Sequence, residues 1–187
     1  MIKKVTLLAL LFWVGTYSIK AQKIYQKADT AAQEYWVDSV FNALTPDQRL
    51  GQLFMVAAYS NKDEKHFATI DQLITDYNIG GLIFFQGGPY RQAKLNDRYQ
   101  AQAKVPLAIA MDAEWGIGMR LDSVLDFPKQ MTLGAIQDNK WIYEMGKEVA
   151  NQFHMLNMHI NFAPVVDVNV NPNNPVIGYR SFGENKY

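Results

Sequence analysis

Pro106-Leu-Ala-Ile-Ala-Met111, closed by Asp112, is a short apolar run with no polar alternation. A strand with one wet face alternates apolar and polar residues, whereas a strand covered on both faces does not. The run therefore reads as a buried strand of a parallel sheet. Three other stretches share the pattern: Gln52-Leu-Phe-Met-Val-Ala-Ala58, Leu82-Ile-Phe-Phe85 and Ile160-Asn-Phe-Ala-Pro-Val-Val166, the last ending at Asp167.

Helical spacing fills the intervals. Lys62 to Tyr77 sets Phe67, Ile70, Leu73, Ile74 and Tyr77 on one side, and Pro89 to Lys104 is compatible with a helix. Asp138 caps a helix to about Leu156, with Ile142, Met145, Val149, Phe153 and Leu156 three or four residues apart. Ahead of the first strand, Asp29 to Leu44 has helical periodicity, and Thr45-Pro46 supplies a cap followed by proline at the first helical position. Between Asp112 and about Ala135 the chain reads as a loop rich in glycine, proline and charge. Buried strands separated by helices call for a parallel sheet with right-handed crossovers. Two architectures meet that description, an open doubly wound sheet and a (β/α)8 TIM barrel. A full barrel needs about 250 residues, so the 187 residues here hold about its first half.

Composition removes several functions. The chain is 49% hydrophobic and 13% aromatic, with 18 acidic and 18 basic residues, which suits one globular domain and excludes disorder. A net charge of zero argues against nucleic acid as a partner, since such domains carry a basic excess. The absence of cysteine excludes disulfides, thiolate nucleophiles and Cys-ligated metals. The 3 histidines (His66, His154, His159) are scattered, so no metal site is expected. Gly116 and Gly118 lack the third glycine of a dinucleotide loop, and no Walker phosphate loop follows any strand.

The first residues read as an export signal. Met1-Ile-Lys-Lys4 is cationic, Val5 to Tyr17 is mostly apolar, and Ala21 precedes Gln22 as a small cleavage residue. The apolar run is shorter than the roughly 20 residues of a spanning helix. Residues 1–21 are therefore expected to be a signal peptide, leaving residues 22–187 in the periplasm or outside the cell with no stable membrane span.

In parallel α/β folds the loops after the strands converge on one rim and carry the chemistry. Strand three ends in Asp112-Ala-Glu114-Trp115-Gly-Ile-Gly-Met-Arg120, and strand four runs from Asp167 through Asn169 to Arg180-Ser-Phe-Gly183. Carboxylates, amides, arginine and aromatics in one place suit a sugar, with paired hydroxyls and one apolar ring face. Asp112 has two readings at this point, a sugar ligand or an internal ion-pair partner of Arg120. Asp167 is a sugar contact or the organiser of the Asn-Pro-rich turn. Trp115 is a platform or core. His154 and His159 read as structural groups near a helix end, and His66 as solvent-facing.

These residues resemble a known family. Leu107-Ala-Ile-Ala-Met-Asp112-Ala-Glu114-Trp-Gly116-Ile-Gly-Met-Arg120 is similar to the aspartate-x-glutamate-glycine-glycine-x-x-x-arginine motif of glycoside hydrolase family 3. Phe162-Ala-Pro-Val-Val-Asp167-Val-Asn169 and Ile177-Gly-Tyr-Arg180-Ser-Phe-Gly183 resemble its fourth-strand signature, Leu44 to Phe54 its opening segment, and Ile79 to Phe84 its second strand. Trp115 replaces the first glycine of the pair, and Ile117 stands where arginine is common. The Ile-Gly-x-Arg-Ser-Phe form resembles the β-N-acetylglucosaminidase group more than the β-glucosidases.

The resemblance implies a (β/α)8 barrel and a retaining exo-β-N-acetylhexosaminidase, acting on small carbohydrates such as peptidoglycan fragments. The alternatives are a β-glucosidase or xylosidase of the same family, or a non-catalytic sugar-binding remnant. By the resemblance Asp112, Arg120 and Arg180 hold the sugar. Its nucleophile and its acid/base lie downstream of Tyr187, so Glu114 and Asp167 take neither role. No metal or organic cofactor is implied. The chain is expected to be an N-terminal fragment of a longer protein, with further C-terminal domains possible.

Overall fold

The computed structural model describes residues 29–185. The export signal of residues 1–21 and the cleavage point near Gln22 lie outside the described residues. The chain divides into two units, Met1–Val37 and Asp38–Tyr187. Helix α1 (Thr30–Ala43) crosses the division, and Asp29 Oδ1 caps it by accepting the Ala31 and Ala32 N–H groups at 3.1 and 3.2 Å.

The second unit alternates helix and strand: α2 (Pro46–Gly51), β1 (Met55–Ala58), α3 (Glu64–Tyr77), β2 (Gly81–Phe84), α4 (Pro89–Gln102), β3 (Ala108–Met111), α5 (Gln130–Gly134), α6 (Asn139–Met155) and β4 (Ile160–Asn161). The strands are parallel, in the order β1-β2-β3-β4, with Met55 opposite Gly81, Gly81 opposite Ala108 and Ala110 opposite Ile160. This order separates the two architectures left open by the sequence. A doubly wound sheet reverses direction at a switch point, so some consecutive strands are not neighbours. In a barrel each strand is laid beside the one before it, as here.

Local chemistry sets the helix boundaries. Thr45 and Gln48 form a reciprocal capping box at 3.3 and 3.2 Å, with Pro46 opening α2. Asp63 and Asp138 cap α3 and α6 by accepting the His66 and Lys140 N–H groups. Asn78 ends α3 in the left-handed region at φ 52, which asparagine tolerates. Ile70 and Ile74 of α3, Leu95 and Tyr99 of α4, and Val149 and Phe153 of α6 bury against Leu82, Phe84, Ile109 and Met111 of the sheet. Each such side chain contributes about 1.5–3 kcal/mol when fully removed from water. Arg98 ties α4 to α3, pairing with Asp71 and with Glu64.

Strands β1, β3 and β4 are shorter than their apolar runs, while β2 keeps four residues, set one position earlier than Leu82–Phe85. Gln52 to Phe54 form the turn after α2, where the Phe54 carbonyl accepts the Gly80 N–H at 3.0 Å. Beyond Asn161 one further ladder bond runs from Phe162 N–H to the Met111 carbonyl at 3.0 Å, and Pro164 has no N–H to extend it. A short helix, α5, interrupts the expected loop before Ala135. His66 departs from its reading as solvent-facing. It is half-buried, edge-on to Tyr59 and Phe67 at 5.6 and 6.1 Å, and its Nε2 is buried with no hydrogen-bond partner among the described residues.

Candidate active site

The C-terminal ends of the strands gather the polar residues. Asp112 follows β3 directly. A 3-10 turn at Ile117–Met119 then reverses the chain and returns Arg120 to the same spot. Gly116 permits the reversal at φ 85, and a Cβ there would lie 2.6 Å from the Phe127 ring. Arg120 donates from Nη2 to Asp112 Oδ2 and from Nε to the Asp112 carbonyl, both at 3.1 Å. Its guanidinium lies 4.8 Å over the Phe85 ring, which stacks on Tyr59 at 5.7 Å. Both members keep some access to solvent, Asp112 at 30% and Arg120 at 16% of side-chain surface.

Two neighbouring elements hold this loop. Asn161, at the end of β4, accepts the Ala113 N–H at 3.1 Å. Beyond β2, Gly87 donates to the Arg120 carbonyl at 3.3 Å and accepts the Asp122 N–H at 2.8 Å. Asn161 was not singled out from the sequence. Its signal was available: one polar side chain inside an apolar strand run.

The strand-four loop reaches the same region through a second ion pair. Glu114 is buried, and its carboxylate accepts Arg180 Nε at 3.1 Å to each oxygen and Nη2 at 2.7 Å. That hydrogen bonding raises the Arg180 pKa above its ordinary range, so the guanidinium stays charged at any working pH. The flanking residues also meet. Trp115 and Tyr179 pack edge to face at 6.4 Å, with Lys129 Nζ 4.0 Å from the Tyr179 ring and 5.0 Å from the Trp115 ring. The indole is therefore neither free platform nor core. Asp167 acts through its backbone, its carbonyl accepting Ser181 Oγ at 2.7 Å, while its side chain is exposed.

The three residues expected to hold sugar thus sit on two loops of one rim. Asp112 and Arg120 form one pair, and Arg180 is drawn in by Glu114, two residues beyond Asp112. A cleft of about 260 Å³ opens beside Glu114 and Asn161, walled by Leu133, Met145, Val149 and Phe182. Among the described residues no cluster of three or more histidine, aspartate or glutamate side chains is placed to hold a metal ion.

Comparison with known proteins finds relatives over this part of the chain. The model of the glycosyl hydrolase family 3 N terminal domain matches residues 45–187. A β-hexosaminidase A from Pseudoalteromonas piscicida is 32% identical over 76% of this chain and 28% of its own length. The β-hexosaminidase LpqI of Mycobacterium tuberculosis is 29% identical over 75% of this chain and 36% of its own. Among solved structures, a family 3 β-N-acetylglucosaminidase from Paenibacillus sp. str. FPU-7 superposes with a TM-score of 0.66 at 36% identity, covering 76% of this chain and 28% of that one. The chain thus spans about a third or less of the length of these relatives. A sequential parallel sheet, two motif loops on its C-terminal rim and a family model matched from the capped turn at Thr45 onward lead to one conclusion: the chain belongs to glycoside hydrolase family 3, in its N-terminal TIM-barrel domain.

Proposed function

We propose that the full-length protein is a retaining exo-β-N-acetylhexosaminidase acting on amino-sugar glycans such as peptidoglycan fragments. In this reading Asp112, Arg120 and Arg180 of the present chain hold the sugar. One observation carries it. The Asp112–Arg120 pair leaves Asp112 Oδ1 and Arg120 Nη1 without another hydrogen bond among the described residues, one acceptor and one donor side by side on a solvent-accessible rim. Adjacent sugar hydroxyls, each both donor and acceptor, match such a pair. The names of the relatives at 29% to 36% identity support the amino-sugar class.

The chemistry of a retaining glycosidase needs two groups at the anomeric carbon, a nucleophilic carboxylate and an acid/base. One attacks to form a glycosyl–enzyme, while an acid protonates the leaving oxygen. The same group, now a base, then takes the proton from the water that releases the sugar. We place both groups beyond Tyr187. Glu114 is committed to Arg180 and Asp167 to its loop, so neither is assigned a reacting role. The residues of this chain bind and orient the ring. Export is part of the same proposal, on the charge and apolar order of residues 1–21. Among the described residues no helix is long and apolar enough to cross a membrane.

The test is an assay of the full-length protein on 4-nitrophenyl N-acetyl-β-glucosaminide beside the β-glucoside and β-xyloside. Turnover of the first alone or in excess supports the reading. Turnover confined to the glucoside favours the second reading, for which a Cellulomonas fimi relative named β-N-acetylglucosaminidase/β-glucosidase, 25% identical, gives the motive. No turnover of any of them leaves a sugar-binding remnant.

A further inference from the structure

We infer that Glu114 is the positioning residue for Arg180, a role that rests on the reading above in which Arg180 meets the sugar. The Glu114 side chain is only 3% exposed, and both of its oxygens are taken by one guanidinium. A carboxylate so enclosed reaches no substrate. The residue it holds is different: Arg180 is 31% exposed, on a loop at the rim. Its Nε and Nη2 face Glu114, while Nη1 has only a 3.4 Å contact with the Val176 carbonyl. That nitrogen is the one left to meet a sugar oxygen.

An arginine on a loop samples many rotamers, and a planar two-point grip leaves it one. The grip works only if the carboxylate is itself fixed. Gln130 Nε2 donates to the Glu114 carbonyl at 2.8 Å, and the Trp115–Tyr179 contact forms a second rung beside the ion pair. Burying a charge pair is a poor way to gain stability, because desolvation offsets the attraction. Geometry is the better account of it. The pair joins residues 66 apart in the chain, locking the strand-three loop to the strand-four loop.

The experiment is a calorimetric titration of the full-length protein with N-acetylglucosamine, using wild type, Glu114→Gln, Glu114→Asp, Arg180→Lys and the double variant Glu114→Gln/Arg180→Lys. Glu114→Gln should weaken binding at least about 10-fold. Glu114→Asp, which keeps the charge, should recover part of that loss. The double variant should bind no more weakly than Arg180→Lys alone, since Glu114 acts through Arg180. Wild-type affinity in Glu114→Gln, or a full sum of the two losses in the double variant, overturns the inference. If Glu114→Gln does not fold, the same cycle built on Glu114→Asp decides. If the wild type binds no N-acetylglucosamine, the functional reading fails instead, and amide exchange settles the positioning. Faster exchange at Ser181 and Asn169 in Glu114→Gln upholds it, and unchanged exchange overturns it.

Discussion

His159 brackets Ile109: the Ile109 N–H donates to His159 Nδ1 at 3.0 Å, and the Ile109 carbonyl accepts the His159 N–H at 2.8 Å. The imidazole thus serves β3 as one more strand residue would, just before β4 begins. Replacing His159 with alanine leaves the Ile109 N–H, in the fully buried centre of the sheet, without its acceptor. The expected cost is about 1–3 kcal/mol, measured as a lower denaturation midpoint at unchanged slope.

Asp112→Asn in the full-length protein removes a charge from the proposed sugar contact and weakens the Arg120 pair. Hydrogen bonds to charged groups contribute about 1.5–3 kcal/mol, so kcat/KM on the N-acetylglucosaminide should fall about 10- to 100-fold. A variant with wild-type kcat/KM would remove Asp112 from the site.

Two glycines should respond with opposite signs to alanine. Gly146 lies inside α6, and a Cβ there meets nothing within 4 Å. Gly146→Ala should stabilise by about 0.5–1 kcal/mol, through helix propensity alone. Gly134 closes α5, where a Cβ would lie 1.8 Å from the Phe182 carbonyl. Gly134→Ala must push the strand-four loop away from α5, and is expected to destabilise. Thermal unfolding of the two variants side by side checks both.

His66 predicts a pH dependence. Burial, then the positive charge of Lys62, lower its pKa below the ordinary 6.5, with Asp63 opposing. The rings of Tyr59 and Phe67 pack edge-on against it. Unfolding restores the ordinary value, so just below pH 6.5 the unfolded chain binds the proton more readily. The stability from this site is therefore fully present above that pH and lost as pH falls towards the lowered folded value. His66→Gln should flatten this part of the curve, read as urea midpoints at about pH 5 and about pH 8. An unchanged slope would show that His66 does not contribute to it.

Much of the fold was open to reading from local chemistry. Thr45, Pro46 and Asp138 marked helix starts because a cap is a bond between near neighbours. The four apolar runs marked strands, but β1, β3 and β4 are shorter than their runs. A strand lasts only as long as its neighbour's ladder, and the partner of Ile160-Asn161 is Ala110-Met111, far off in sequence. Helix α5 escaped notice because it is short and lies in a polar, glycine-bearing stretch. His66 looked exposed because Tyr59, one of the two rings that cover it, comes from outside its own helix.

The candidate site divides along the same line. Composition, the apolar runs and the two strand-end motifs by themselves determined a parallel α/β chain with carboxylates, amides and arginines gathered at its strand ends, because residue type and short-range spacing are properties of the chain; the sugar-holding role of Asp112, Arg120 and Arg180 is what the family resemblance implies. Which carboxylate holds which arginine was decided only by the tertiary structure. Asp112 takes Arg120, eight residues on, and the buried Glu114 takes Arg180, 66 residues on. The strand order was decided in the same way, and with it the choice of barrel over open sheet. Both depend on where folding brings distant segments together, and no local preference of the chain encodes that.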